Sequence, residues 1–274
     1  MLLVTDLDGT LLDENGQVRP RDREAIRALR KKGVRVSICT GRMYSGTRAI
    51  AHSLELEGPI GCLDGSQIAD ARDGTMALCL IDPDTATVLV HALSEYQPAS
   101  FVFSNDMVFH DQAGDPYIEY VSTWSDQSVR LEDVVGDPRW SEKDRISAVV
   151  ALGSEEQIRG IELELLARGA RVQIATYTIS REGYLGLWGS VIRAAGPSKG
   201  TALTFIARHH DLDPRDVVAI GDWLNDIPML QAAGRSFAMA HASEQVKAAA
   251  AQVLESSSAT GGAIAEAAER VGFL

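Results

Sequence analysis

The chain opens with MLLVTDLDGT (residues 1–10), a stretch that predicts a strand ending in two charges. Leu2–Thr5 is a short, mostly apolar run that is typical of a buried strand. Asp6 and Asp8 follow it at once, so two like charges stand where the strand ends. Because ligands bind at the carboxyl ends of the strands in an open parallel sheet, two carboxylates at such an end indicate a ligand site.

The residues after this stretch alternate between helical and strand-like patterns. RDREAIRALRKKG (residues 21–33) has the spacing of an amphipathic helix, with Ile26 and Leu29 on its apolar side. The next predicted segments are a strand over Val34–Thr40, a helix over Tyr44–Leu56 and a strand over residues 59–65. This βαβαβ order predicts parallel strands joined by right-handed crossovers.

The same alternation of predicted strands and helices returns late in the chain. The predicted segments there are a helix over Lys199–His210, a strand over residues 217–222, a helix over Asp226–Ala233, a strand over residues 236–240 and a helix over Glu244–Leu254. One doubly wound, Rossmann-like parallel sheet, interrupted in the middle, accounts for both halves. We therefore predict an α/β fold in which residues 1–81 and 190–274 form one catalytic core.

The interruption, residues 82–189, has a different pattern. Strand-like runs lie close together and begin at Ser100, Met107, Ile146 and Arg171, and helices are predicted over Thr85–Tyr96 and Glu155–Arg168. This pattern predicts an inserted α+β cap domain with a largely antiparallel sheet. The segment is long enough to fold as its own domain and to supply substrate specificity.

Composition and charge argue against several classes of protein. With 45% hydrophobic and 23% charged residues, the 274-residue chain can bury a large core. A net charge of −12 without a basic run argues against binding to nucleic acid or to an anionic membrane. The apolar runs are too short for a membrane span and Asp6 comes too early for a signal peptide, so we expect a cytoplasmic protein, monomeric or homodimeric. The three cysteines lack paired metal-ligand spacing and are expected to be reduced.

Polar and charged residues stand at the predicted strand ends and at the start of the helix after the insert. They are, in chain order, Asp6, Asp8, Thr40, Gly41, Arg42, Lys199, Asp222, Asn225 and Asp226. Each could simply cap a helix or close a turn, and taken singly that alternative has the greater weight. Together they favour a ligand site, because capping does not require carboxylates at several strand ends of one sheet, where they repel each other.

A calcium loop is the other interpretation of DLDGTLLDE (residues 6–14). It fits poorly, because the glycine stands at the fourth position instead of the sixth, no glutamate occupies the twelfth, and a strand precedes the loop. No histidine and cysteine cluster has zinc spacing. Carboxylates that share a site with phosphate are the usual ligands of Mg²⁺, so the sequence favours magnesium.

Asp6 and Asp8 could take two different roles in phosphate chemistry. An ionised carboxylate attacks phosphorus without a base, provided that its repulsion from the phosphate, roughly 8 kcal/mol at about 4 Å, is offset by cations. Mg²⁺ and Lys199 would supply that charge. Asp6 would then be the nucleophile, and Asp8 the acid and base that serves the leaving group and the water. The remaining strand-end groups would hold the phosphate oxygens: Thr40, Gly41 and Asn225.

Four motifs give the chain a family resemblance: DLDGT (residues 6–10), TGR (residues 40–42), SKG (residues 198–200) and GDWLND (residues 221–226). In order and spacing they resemble the haloacid dehalogenase-like superfamily, and the long insert resembles the cap of its Cof-type, subclass IIB, phosphatases. The resemblance implies that Asp6, Asp222 and the carbonyl of Asp8 hold Mg²⁺, with Asp226 as a further ligand or just behind the ligands. It also implies that Thr40 and Lys199 bind phosphate.

Three stretches depart from the family pattern, among them SSSATGGAI (residues 256–264) after the last predicted strand. Asp64-Gly65 stands where Asn-Gly is usual, and Ala240-His241 stands where Gly-Asn is usual. Both lie near the expected leaving group, so His241 is a candidate substrate contact. Arg42 is another, with a structural ion pair as the equal alternative. Aromatic residues of the insert are weaker candidates, because at their spacing such residues more often belong to a core: Tyr120, Trp124, Trp140 and Tyr177.

These observations predict a Mg²⁺-dependent phosphatase that acts through an aspartyl-phosphate on a small phosphorylated metabolite, such as a sugar or polyol phosphate. Two alternatives stay open. A phosphomutase would pass the same phosphoryl group to a second hydroxyl. A phosphate-responsive binding or signalling module is the other, since receiver domains also place acidic residues, a threonine and a lysine at strand ends. Asp8 and the large insert favour the enzyme.

Overall fold

The computed structural model describes residues 1–142, 146–179 and 183–274. The chain divides into two compact units, of which the first comprises Met1–Ala77 and Pro197–Leu274 and the second Leu78–Gly196. The second break lies later than the sequence pattern suggests, because Trp188–Ala194 forms a strand of the inserted sheet.

Strands and helices alternate along both units. The strands are β1 (Leu2–Thr5), β2 (Arg35–Ile38), β3 (Pro59–Cys62), β4 (Gln67–Asp70), β5 (Gly74–Leu78), β6 (Ala99–Ser104), β7 (Met107–His110), β8 (Ser128–Arg130), β9 (Ile146–Gly153), β10 (Val172–Thr178), β11 (Trp188–Ala194), β12 (Val217–Gly221), β13 (Arg235–Ala238) and β14 (Gln252–Val253). The helices are α1 (Pro20–Lys31), α2 (Arg48–Ser53), α3 (Pro83–Tyr96), α4 (Ile118–Val121), α5 (Glu155–Ala167), α6 (Lys199–His209), α7 (Ile227–Ala232), α8 (Glu244–Ala249) and α9 (Ala263–Arg270). Among the described residues, every helix is too short or too polar to pass through a lipid bilayer.

The first unit is built on a parallel five-stranded sheet in the order β14-β13-β12-β1-β2. The central strand β1 is buried on both faces. Leu3 packs in the cluster that contains α1 and α9, whereas Leu2 and Val4 pack against α6 and α7. Burial on both faces explains why this strand reads as a continuous apolar run. The predicted doubly wound parallel core is confirmed.

The third predicted strand differs from expectation. A single parallel bridge, Cys39 to Gly61, connects β3 to the end of β2, and the main partner of β3 is the antiparallel β4. Leu63, Asp64 and Gly65 have φ values of 46°, 50° and 94°. These left-handed conformations reverse the chain immediately after β3, so its nearest partner becomes the segment that follows.

Two predicted helices are shorter than expected. Helix α2 begins at Arg48 and not at Tyr44, because the Tyr44 N–H is bonded to Gln67 Oε1 (2.9 Å) and residues 41–47 form turns. The N-terminus of α2 therefore does not directly follow the Thr40-Gly41 segment. Helix α8 ends at Ala249, and the chain then joins the sheet as β14 through the bond from Leu254 N–H to Ala238 O (2.8 Å).

Helix α9 was not predicted, because the preceding SSSATGG segment reads as a loop. Asp22 on α1 caps it: one carboxylate oxygen accepts from Gly262 N–H and the other from Ile264 N–H, both at 2.8 Å. Asp22 is buried, and burial raises the pKa of its carboxyl against the effect of these bonds. A buried polar residue on α1 thus satisfies backbone donors that lie some 240 residues away.

The second unit contains a six-stranded sheet in the order β10-β11-β9-β6-β7-β8. The sheet is antiparallel except between β7 and β8. Leu89 and Leu93 of α3 and Ile158 and Leu165 of α5 pack in one apolar cluster with the sheet. The prediction of an inserted α+β segment with a largely antiparallel sheet is confirmed.

Candidate active site

Strands β1 and β12 are neighbours, and each is followed directly by an aspartate. The Asp6 N–H donates to Ile220 O (3.0 Å), which extends the ladder to the ends of both strands. Asp6 and Asp222 are 4% and 7% exposed, and Asp226 on the following turn is fully buried. A carboxylate oxygen from each of the three lies within 4.8 Å of the other two. The parallel sheet therefore gathers three buried carboxylates at one edge, as its topology requires.

Lys199 lies among these carboxylates. Its Nζ is 2.6 Å from Asp6 Oδ1 and 2.6 Å from Asp226 Oδ1, and its side chain is 2% exposed. Helix α6 begins at this residue behind a capping box, in which Ser198 and Thr201 exchange bonds between side chain and backbone (3.2 and 2.9 Å). The cap fixes where the helix starts and thereby where the ammonium group points.

Charge in this cluster is unbalanced. Burial raises the pKa of Asp6 well above its ordinary value; Lys199 opposes this rise, and the neighbouring aspartates add to it. Burial also raises the pKa of Asp226, and the positive charge of Lys199 again opposes the rise. For Lys199 itself, burial would lower the pKa, but Asp226, Asp6 and Asp64 together raise it well above the ordinary value. The lysine is therefore held as an ammonium ion, and the carboxylates around it exceed its charge.

Asp226 organises the loop that follows β12. Its Oδ2 accepts from the backbone N–H groups of Asp222 and Trp223, both at 2.9 Å, while its Oδ1 accepts from Lys199. Gly221 is required beside it, because a Cβ there would lie 2.5 Å from Asp226 Cγ. Both oxygens of Asp226 are thus occupied in holding the lysine and the loop.

Asp8 is paired with Arg42. Arg42 Nε donates to Asp8 Oδ2 at 2.8 Å, and Nη2 donates to the other carboxylate oxygen. The Asp8 side chain is 54% exposed, whereas that of Arg42 is 12% exposed. Of the two alternatives considered for Arg42, the structure shows the ion pair. The guanidinium fixes the orientation of Asp8 through two parallel bonds.

The groups expected to hold phosphate lie beside Asp64. Asn225 Nδ2 donates to Asp64 Oδ1 (2.8 Å), and Asp64 N–H donates to Thr40 O (2.9 Å). Gly41 adjoins the same two side chains, since a Cβ there would make ordinary van der Waals contact with Asp64 Oδ1 (3.5 Å) and Asn225 Nδ2 (3.9 Å). Asp64 also lies 3.9 Å from Lys199 Nζ. Sequence reasoning noticed Asp64 only as a departure from a pattern and gave it no place in this group.

Two further residues contact Asp222. Thr10 Oγ1 donates to Asp222 Oδ1 at 2.8 Å, and His241 Nε2 lies 3.3 Å from Asp222 Oδ2. Thr10 was not predicted as a site residue, although its place in the DLDGT motif was visible. His241 was predicted as a substrate contact. The structure places its imidazole against Asp222, one of the three carboxylates of the acidic cluster that Asp6, Asp222 and Asp226 form.

The sequence profile of the haloacid dehalogenase-like hydrolases matches residues 3–267. The chain belongs to this family. It is 28% identical over 263 residues to a pyridoxal phosphate phosphatase of Escherichia coli, with 91% of each chain covered. Its fold is similar to that of a haloacid dehalogenase-like hydrolase from Bacteroides thetaiotaomicron, with a TM-score of 0.83, 22% identity and 98% of each chain covered. It is also similar to the fold of a subclass IIB sugar phosphatase, with a TM-score of 0.78, 19% identity, and 100% of this chain and 99% of that one covered. The predicted family, and with it the prediction of a phosphatase, is confirmed.

As a haloacid dehalogenase-like hydrolase, the chain brings its four motifs together by a small number of contacts. DLDGT contacts SKG through Asp6 and Lys199, and GDWLND through Thr10 and Asp222. TGR contacts DLDGT through Arg42 and Asp8. Cys39 lies near the same cluster, but burial raises the pKa of its thiol to about 12, so it is not a thiolate nucleophile at neutral pH.

The aromatic candidates in the inserted unit of this hydrolase separate into two groups. Tyr120 contacts the rings of Trp124 and Tyr184 (centroids 5.6 Å apart in both cases) and lies 3.5 Å from the hydroxyl of Tyr177. Trp140 is buried, and its Nε1–H donates to Val134 O (2.9 Å). Trp140 is therefore a core residue, and the other three share one aromatic cluster.

Proposed function

We propose that this chain is a Mg²⁺-dependent phosphomonoester hydrolase that acts through an aspartyl-phosphate on Asp6 and accepts a small phosphorylated metabolite such as a sugar or polyol phosphate. The observation that carries the proposal is the ammonium of Lys199 between Asp6 and Asp226, beside the carboxylate of Asp222. The relatives named above, a pyridoxal phosphate phosphatase and a sugar phosphatase, support a small phosphorylated substrate.

The donor set fits magnesium. All of its atoms are oxygens, which a hard cation prefers, and within the described parts of the chain three carboxylates share the space with the ammonium of Lys199. Burial and, after it, the neighbouring aspartates raise the pKa of Asp6, and a further cation would stabilise its ionised form. Asp6 and Asp222 would hold it through their carboxylates and Asp8 through its carbonyl. Asp226 would stand behind them, because its Oδ2 already accepts from two backbone N–H groups and its Oδ1 faces the ammonium of Lys199, whose charge repels a second cation.

In the proposed first step, an Asp6 oxygen bonds to phosphorus while the bond from phosphorus to the leaving oxygen breaks. Asp8 gives a proton to that oxygen, so the product leaves as an alcohol. In the second step Asp8 takes a proton from water, the water oxygen bonds to phosphorus, and the bond to Asp6 breaks to release phosphate. Lys199 stabilises the charge on the phosphoryl group in both steps, and Mg²⁺ supplies further neutralisation when bound.

A panel of phosphorylated metabolites, assayed for free phosphate with Mg²⁺ and with EDTA, tests the proposed function. We expect release of phosphate from at least one alkyl phosphate in Mg²⁺, loss of release in EDTA, and recovery when Mg²⁺ is restored. An isomeric phosphate ester as the product would indicate a mutase instead. A long-lived phosphorylated Asp6 without turnover would indicate a signalling module.

Replacing Arg42 with glutamine is expected to slow the hydrolysis of alkyl phosphates more than that of activated aryl phosphates. The pair with Asp8 orients the group that protonates the leaving oxygen, and p-nitrophenolate leaves without that proton. We expect kcat to fall about 10- to 100-fold for an alkyl phosphate and only a few-fold for p-nitrophenyl phosphate. Steady-state kinetics on both substrates measures the ratio.

The matched control is Arg27→Ala, which removes an exposed arginine from α1 and should leave both rates unchanged. Arg42→Lys keeps the charge but loses the two parallel bonds, so it should show the same selectivity as the glutamine variant. An equal fall in kcat on the alkyl phosphate and on p-nitrophenyl phosphate would contradict the proposed action of Arg42 on Asp8.

A further inference from the structure

His241 connects the acidic cluster to a distant loop. It follows β13, and its imidazole is 35% exposed. Nε2 lies 3.3 Å from Asp222 Oδ2, and Nδ1 lies 3.3 Å from the backbone nitrogen of Ser258, in the loop that precedes α9. The ring is thus placed between a backbone donor and a carboxylate.

These two partners decide where the imidazole carries its proton. A backbone N–H can only donate, so Nδ1, which faces Ser258, must be the unprotonated nitrogen that accepts. In the neutral ring the proton is then on Nε2, and Nε2–H donates to Asp222. With its proton on that side, the ring is a hydrogen-bond donor to the carboxylate and does not itself offer a lone pair to a metal ion.

The carboxylate of Asp222 is consequently held at both oxygens. Thr10 Oγ1 donates to Oδ1 (2.8 Å), and His241 donates to Oδ2 (3.3 Å). The loop at Gly9 closes a third side, because a Cβ there would lie only 2.4 Å from Oδ2. A carboxylate oxygen has more than one lone pair, so each oxygen can accept such a bond and still bind a cation.

We propose that His241 is a positioning residue for the Asp222 carboxylate and thereby sets the affinity of this site for its divalent cation. The inference rests on the proposed function, in which Asp222 is a ligand of Mg²⁺. Groups that hydrogen-bond to metal ligands fix ligand orientation, and removing them typically weakens metal binding 10- to 100-fold. His241 therefore acts on the metal through Asp222 and not on the substrate.

Calorimetric titration of the EDTA-stripped full chain with Mg²⁺ alone tests this inference. We expect His241→Ala to raise the Kd for Mg²⁺ about 10- to 100-fold. His241→Gln, which keeps an N–H donor on a side chain of similar reach, should recover part of the affinity. The matched control is His52→Ala, which removes an exposed histidine on α2 and should bind Mg²⁺ as the wild type does.

A kinetic measurement distinguishes a positioning role of His241 from a general loss of structure in the variant. With p-nitrophenyl phosphate, His241→Ala should need about 10-fold more Mg²⁺ for half-maximal activity and keep a similar kcat at saturating Mg²⁺. A purely structural role would lower kcat and leave the Mg²⁺ requirement unchanged. Urea unfolding in EDTA checks that the variant is folded, and His241→Gln provides the same comparison if the alanine variant is not.

The outcomes distinguish the two proposals. If the wild type binds no Mg²⁺, the proposed function fails. If the wild type binds Mg²⁺ and His241→Ala binds it with the same Kd, the proposed function stands and the assignment of His241 is overturned.

Discussion

Asp6→Asn is expected to lower kcat by about 10⁴-fold or more, because the nucleophile that forms the covalent intermediate is lost. An amide oxygen is a far weaker nucleophile than a carboxylate, and the carboxylates of Asp226 and Asp8 are engaged in other bonds. Asp226 is bonded to Lys199 and to two backbone N–H groups, and Asp8 is bonded to Arg42. Release of free phosphate from p-nitrophenyl phosphate measures the loss.

Acid quenching during turnover provides a second measurement for this variant. The wild type should yield a phosphorylated peptide that contains Asp6, and the asparagine variant should yield none. Asp73→Asn, which changes an exposed aspartate between β4 and β5, is the matched control and should keep both turnover and the phosphorylated Asp6. A kcat for Asp6→Asn within tenfold of the wild type would rule out the proposed mechanism.

Lys199→Met is expected to reduce both stability and activity. The lysine ammonium is the cation that faces Asp6 and Asp226 at 2.6 Å, and its removal leaves these two buried carboxylates without that countercharge. Breaking such a buried pair costs about 3–5 kcal/mol of the free energy of unfolding. Losing a charged group that stabilises the transferring phosphoryl group should also lower kcat about 10²- to 10³-fold. Urea unfolding in EDTA and steady-state kinetics in Mg²⁺ measure the two effects.

A charge-matched double variant separates these two effects. In Lys199→Met/Asp226→Asn, the asparagine oxygen can still accept from the N–H groups of Asp222 and Trp223, while one buried negative charge is removed. We expect the double variant to regain much of the lost stability and none of the activity. If Lys199→Met alone unfolded at the wild-type urea concentration, the buried lysine would not be the main compensation for these carboxylates.

The convergence of the four motifs could be predicted from the sequence because it follows from topology. Once β1 and β12 are assigned to one parallel sheet, their ends must meet, and Asp6 and Asp222 meet with them. The start of α6 was equally visible, since Ser198 is a strong capping residue immediately before Lys199. Local patterns thus placed the residues of the acidic cluster and their lysine.

Other features depend on contacts that no local pattern encodes. Asp22 reads as a polar position on an amphipathic helix, and only the packing of α1 on α9 shows that it caps a helix. The pair between Arg42 and Asp8 depends on the turn over residues 41–47, which replaced the predicted first turn of α2. His241 was expected to contact the substrate. Its contact with Asp222 was not foreseen, because it depends on the path of the loop after β13, which the place of His241 in a motif does not reveal.

The place of β1 between β2 and β12 also bears on how the protein is made. About 140 residues separate the end of the first segment from β12, so a ribosome working at about 5–20 residues per second takes roughly 7–28 s to supply the missing partner. During that interval one edge of β1 has no strand beside it and is open to wrong pairing. The inserted unit is continuous in sequence and can complete its own sheet meanwhile. In the proposed mechanism, Asp6 emerges first among the site residues and cannot act until Lys199 and Asp222 have also been made.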